Sequence, residues 1–235
     1  MSQIVKLNAE YSEILRKVLE LNYEPVAVRL VREGEAFSDK GDVGSSMSHC
    51  QAITRARKGE CLSLRTEDEN CHVGTSVLGM TDTPEKVATG EFHAGIGIHD
   101  TVEAAGAMIS DRIKILYKTI GELVCPLKDA DFIPDVVIMI DIPERIYWVV
   151  ALISAEKGER ASFSTAPFQC ACEDITAIPI MTGSPNISLG CFGCRKRTDM
   201  AKEEMACGIP YSLIPGYTAR LTKYSSGVMT KAKRD

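Results

Sequence analysis

The sequence contains no run of 18 uncharged apolar residues, so it offers no transmembrane helix of ordinary length. Its first residues, Met1-Ser-Gln-Ile-Val-Lys6, lack the apolar core of a secretory signal, and a cytoplasmic protein is expected. There is no excess of basic charge either. Lys and Arg total 27 against 32 Asp and Glu, a net charge of −5. The basic residues are dispersed except for Arg195-Lys196-Arg197 and the tail Lys231-Ala232-Lys233-Arg234, which argues against broad nucleic-acid binding. Linkers and low-complexity tracts are missing, as are a glycine-rich phosphate loop, a nucleophile elbow and a metalloprotease histidine pair. Gly95-Ile96-Gly97 lacks the third glycine that a dinucleotide fingerprint needs.

What is present is an ordinary globular composition, 45% hydrophobic and 25% charged, with nine cysteines in 235 residues. In a reducing compartment an odd number of cysteines argues against a disulfide framework and for metal binding, redox chemistry or burial. Cys50 and Cys71 lie 21 residues apart, and so do Cys170 and Cys191, with the second pair displaced from the first by 120. The flanks repeat too. Met80 follows Cys71 by nine residues and Met200 follows Cys191 by nine, while Cys50-Gln-Ala-Ile-Thr54 matches Cys172-Glu-Asp-Ile-Thr176 after a two-residue slip. The pattern suggests four thiolates gathered from two similar halves.

Periodicity predicts a helix over residues 4–21 and a strand over 26–31, with a Gly/Ser/Asp-rich loop over 34–48 delivering Cys50 to a helix start. Cys71 follows a polar turn, Thr66–Asn70. Further expectations are a strand over 91–98, a helix over 101–119 and a buried strand over 135–140. An apolar helix should follow from Pro143 to Lys157, then a short strand over 161–165, a polar helix over 198–206, a strand over 211–214 and a last helix from 215. The expected fold is a single α/β domain, 1–235, of two pseudo-duplicated halves (about 1–120 and 134–235) around a mixed sheet.

Cys191-Phe-Gly-Cys194 is the one tight C-x-x-C, and its glycine-rich turn can present two thiolates with free amides aimed at sulfur. A zinc site would ordinarily show a second such pair, and a ferredoxin would show a closely spaced run; neither occurs. Solitary ligands from several loops suit a buried 4Fe–4S cluster held by Cys50, Cys71, Cys170 and Cys191, with Cys172, Cys194 and Cys207 as alternates. Cys61 and Cys125 read as ordinary buried cysteines. His49 and His72, each beside a candidate ligand, suit the layer behind the ligands. Arg55 and Arg195 would hold a small anionic substrate or offset the cluster's charge, Arg57 reads equally as part of a solvated helix face, and His93 and His99 read as structural or surface residues.

Pro25-Val-Ala-Val28, Cys50-Gln-Ala52, Cys71-x-x-Gly74 with Leu78-Gly79, Pro134-Asp-Val-Val137 and Gly190-Cys191-x-Gly193-x-Arg195 occur in order along the chain. With this series the chain resembles the family called domain of unknown function 169, uncharacterised ArCR, of archaea and anaerobic bacteria, over about residues 10–215. The resemblance implies an anaerobic cytoplasmic setting and places family cysteines at Cys50, Cys71, Cys191 and one of Cys170 or Cys172; Cys194 sits where the family pattern has a small residue. From the cysteine pattern, the expected function is that of an iron–sulfur protein in redox chemistry or cluster-based catalysis on a small substrate, with a redox partner protein or a second copy of the chain as its expected company. A structural zinc module that binds a partner, and a metal-free ligand-binding protein, are the alternatives.

Overall fold

The computed structural model describes residues 2–38 and 46–232; of the expected Gly/Ser/Asp-rich loop, positions 39–45 lie outside the described residues, as do Lys233 and Arg234 of the basic tail. Helix α1 (Gln3–Leu19) starts where the Ser2 hydroxyl accepts the Val5 amide and stops at Glu20, whose φ of 56° reverses the chain. Strand β1 (Val26–Arg32) follows, then α2 (His49–Ala56), β2 (Leu62–Arg65) and α3 (His72–Val77). Short helices α4 (Glu85–Ala88), α5 (Glu91–Ala94) and α6 (Val102–Ser110) precede β3 (Thr119–Pro126). The second half holds β4 (Val136–Asp141), α7 (Pro143–Lys157), a π-helical segment (Cys170–Ala177), α8 (Ile178–Thr182), β5 (Asn186–Ser188), α9 (Phe192–Arg197), β6 (Met205–Pro210), α10 (Ile214–Ser225) and α11 (Val228–Ala232).

The six strands form one sheet in the order β2-β3-β1-β4-β6-β5, and every pairing is antiparallel. The sheet is therefore antiparallel throughout and not the mixed sheet expected from the sequence. The nine residues between β3 and β4 carry the chain across the end of β1, so β3 and β4 flank it and both oppose its direction. Several local expectations also fail. Residues 91–94 are helical rather than extended and 161–165 form no strand. The polar helix lies at 192–197, ahead of β6, and Tyr211–Leu213 is a 3-10 turn.

Side chains alternate across the sheet and separate two cores. On one face Val28, Leu30, Val124, Val136, Ile138 and Ala206 pack against α2, α3 and the π-helical segment. On the other, Ala27, Leu123, Val137, Met139, Cys207 and Ile209 pack against α1, α7 and α10. This alternation sorts the cysteines. Cys207 points away from the face that carries Cys50, Cys170, Cys172, Cys191 and Cys194, which removes it as an alternate ligand.

Cys61 and Cys125 also belong to the far face, and they are not free. They form a disulfide, against the expectation of two separate core thiols. The register explains it: Leu62 pairs with Val124, so Cys61 falls opposite Cys125 at a Cα separation of 4.2 Å.

A candidate thiol-lined centre

Four separate segments bring thiols to one place. A parallel bridge between Met47 and Glu69 ties together the entries to α2 and α3, with Met47 N–H bonded to Asp68 O and Asn70 N–H to Met47 O, each at 3.0 Å. The bridge sets Cys50, in the first turn of α2, beside Cys71, which caps α3. The Cys71 sulfur accepts the Gly74 amide at 3.5 Å, and the Cys191 sulfur accepts the Cys194 amide at 3.4 Å in the same way at the start of α9. Gln169, at a left-handed φ of 67°, opens the π-helical segment, all of which is buried. Such segments are uncommon and concentrate at functional sites.

These residues enclose a cavity of about 310 Å³ that Cys50, Cys71, Cys172, Cys191 and Cys194 line together, with Phe92, His93, Phe168 and Phe192 as further walls. Cys170 sits just beneath it, beside Cys50 and Cys194. The thiol of Cys194 neighbours those of Cys170, Cys191 and Cys50, whose influence, ahead of burial, pushes it well above the ordinary thiol range. The neighbouring Cys194 thiol, against the effect of burial and with backbone amides of Cys194, Cys170 and Gly193 assisting, lowers the Cys191 thiol to about 6. Cys50 is lowered to about 7 by Cys194, then by Ser48 and His49, again against burial. Burial, and after it the charges of Cys71, Cys191, Glu173 and Cys50, push Cys172 well up. Among the described residues no group of three or more His, Cys, Asp or Glu side chains stands in a metal-ligand arrangement.

Behind the thiols lies a buried polar chain. His49 places Nδ1 2.6 Å from Glu122 Oε2 and Nε2 2.9 Å from Thr176 Oγ1, while its backbone amide donates to Glu69 Oε2. Burial opposes charge on His49, but Glu122 outweighs it and the imidazole is shifted upward. Glu69 is raised to about 11 by burial and by the neighbouring carboxylate of Glu122, and it therefore keeps its proton at neutral pH. His49 thus has both ring nitrogens engaged and supports the floor from behind.

The other sequence candidates lie elsewhere. His72 is exposed and does not line the cavity, because α3 turns it away from the sulfur of Cys71. Arg55 pairs with Glu60 on the surface. Arg195 donates to the carbonyls of Leu189, Ala201 and Glu204, closing the 189–204 loop. Arg57 is no solvated residue: it is buried against both carboxylate oxygens of Glu204 and stacks over Tyr23. Among the described residues, the cationic residues that line the cavity are Lys196 and Arg197. Their place in the basic triplet beside the C-x-x-C was visible in sequence, but which of the three would face inward was not.

With this geometry in place, the sequence profile of the family described as uncharacterised ArCR (DUF169) matches residues 14–219. The chain belongs to this family. A curated relative, an uncharacterised protein of Methanocaldococcus jannaschii, is 28% identical over 204 residues, covering 86% of this chain and 88% of that protein. No solved structure matches the chain. For this ArCR member the matched span includes all the cavity-lining cysteines and both cations.

Proposed function

We propose that the cavity holds a thiolate-ligated 4Fe–4S cluster, bound by Cys50, Cys71, Cys172 and Cys191, that acts on a small molecule admitted through the same opening. The observation that carries this reading is the convergence of thiols from four segments on one cavity walled by apolar rings. An all-sulfur donor set suits iron–sulfur clusters and other soft or borderline metals. Backbone N–H groups aimed at Cys71 and Cys191 are the donors that stabilise cluster thiolates. Cys172 takes the place that sequence spacing gave to Cys170, since it lines the cavity amid Cys71, Cys191 and Cys50. Loading would deprotonate the ligands.

A second reading rests on the contacts of Cys194. Its thiol meets those of Cys50, Cys170 and Cys191, a four-thiol set that suits structural zinc. The two readings use different cysteines. Purification without oxygen, followed by assay of iron, zinc and acid-labile sulfide, is expected to give about four irons and four sulfides per chain. Cys172→Ser should then lose iron while Cys207→Ser, on the far face, retains it. Stoichiometric zinc without sulfide, lost in Cys170→Ser and kept in Cys172→Ser, would overturn the cluster in favour of zinc.

A further inference from the structure

The cavity is lopsided in charge and in polarity. Among the described residues no Asp or Glu lines it, although acidic residues outnumber basic ones in the chain by 32 to 27. Its two permanent charges are the ammonium of Lys196 and the guanidinium of Arg197, both exposed. Neither is engaged in an ion pair among the described residues; Lys196 instead rests 5.6 Å from the centroid of Phe192. His93 cannot act as a third cation at neutral pH, because burial, and then His99 and Arg112, hold it down to about 4.

The same cavity is lined by a set of rings. Phe168 is buried, with its centroid 4.6 Å from His93, 5.7 Å from His99 and 6.3 Å from Phe192. Phe92 meets the other side of His93 at 5.2 Å. Most of these contacts are edge-on, the preferred arrangement of aromatic pairs; His93 and Phe168 are buried by them, and the open ring surface is that of Phe92 and Phe192. Phe92 and Phe192 are 48% and 43% exposed at the opening, a cost in water that a bound apolar group would remove. The cavity volume is about ten waters' worth, at the small end for ligand pockets.

We propose that the opening binds a single-ring aromatic carboxylate, its anionic end held by Lys196 and Arg197 and its ring among Phe92, His93, Phe168 and Phe192, with the uncharged end directed at the cysteines. This identifies the substrate class for the thiol centre proposed above and rests on that reading only in taking this cavity as the place of reaction. The bond to be changed then lies at the end of the molecule remote from the carboxylate. A guanidinium and an ammonium select the carboxylate by charge-assisted hydrogen bonds, and the absence of an acidic wall among the described residues excludes amines.

Fluorine NMR of three probes, 4-fluorobenzoate, 4-fluorobenzyl alcohol and 4-fluorobenzylamine, titrated with anaerobically purified protein, tests the assignment. The benzoate is expected to bind at least tenfold more tightly than the amine. Lys196→Gln combined with Arg197→Gln should weaken the benzoate by tenfold or more while leaving the alcohol unchanged, which also reports that the ring site is still folded. Equal binding of amine and benzoate, an unchanged benzoate affinity in the double variant, or no binding of any probe would overturn it. Iron, zinc and sulfide are measured on the same samples. Selective benzoate binding by protein that carries zinc or no metal upholds this assignment while the cluster reading falls; iron-loaded protein that ignores benzoate does the reverse.

Discussion

The two halves of the sheet have the same plan and different fillings. Each half runs from a central strand (β1, β4) through an edge strand (β2, β5) to the strand between them (β3, β6), and β3 and β6 both end in proline followed by a 3-10 turn. Each places a cysteine as the cap of a short helix after its edge strand, Cys71 on α3 and Cys191 on α9. Val124 and Gly208 occupy corresponding positions, each two residues before the proline and each opposite the first residue of the edge strand. In the first half the valine side chain fills the space under α2. In the second, a Cβ on Gly208 would collide with the carbonyl of Ile175, so the π-helical segment rests on bare backbone. That close seat accompanies the difference in thiol supply: the first half gives solitary Cys50 and Cys71, the second gives Cys170, Cys172, Cys191 and Cys194.

The halves also differ in how their edge strands are fastened, and removing the fastener should have the largest effect. Cys61 is bonded to Cys125 across β2 and β3, whereas Pro185 and Ile209 hold the matching positions in the second half. Cys61→Ser should lower stability by about 3 kcal/mol in urea denaturation without reductant. Wild type treated with reductant should fall to the same midpoint, and a midpoint unmoved in both would show that the fastener contributes nothing.

Next in size is the pair that interchanges the fillings. Gly208→Ala forces the Ile175 carbonyl away from β6 and is expected to cost about 2 kcal/mol by overpacking. Val124→Ala empties space under α2 and should cost about 1–2 kcal/mol. A Gly208→Ala protein as stable as wild type would mean that the π-helical segment does not sit on the strand backbone.

The smallest effect concerns a carboxyl that only the second half carries. Asp174, whose counterpart in the matched Cys-x-x-Ile-Thr segments is Ala52, is raised to about 7 by burial, although Ser188 and Thr165 donate to it. A raised carboxyl favours the fold while protonated. Its contribution is complete below the ordinary carboxylate range near pH 4 and is lost as pH rises through about 7. Asp174→Asn removes that loss, so its melting temperature should exceed wild type's at pH 8 by a few degrees, about 1 kcal/mol, and approach it at pH 5. Identical pH profiles for the two proteins would remove Asp174 as the source of the difference.

Sequence periodicity located α1, β1, β4, α7 and α10, because each is a sustained apolar pattern with a clear start or stop. β3 escaped notice because Gly121 and the buried Glu122 interrupt its apolar run, and Glu122 is there for His49, a partner 73 residues away. β2 and β5 are too short, at four and three residues, to carry a period. The convergence of Cys50, Cys71 and Cys191 could be read from spacing and flanks alone. That Cys172 rather than Cys170 lines the cavity could not, since the winding of the π-helical segment decides it.

By itself, then, the sequence determined the supply of thiols, the family and the principal apolar elements, all of which depend on residue type and short-range order. Tertiary structure decided the rest. The sheet's alternation sent Cys207 and the Cys61–Cys125 pair to one face and gathered the six other cysteines on the opposite side, around α2, α3, α9 and the π-helical segment. Packing turned Arg55 and Arg195 away from the cavity and left Lys196 and Arg197 at its opening. These outcomes depend on which side of a strand or helix a residue occupies relative to partners far away in the chain, and no local pattern encodes that.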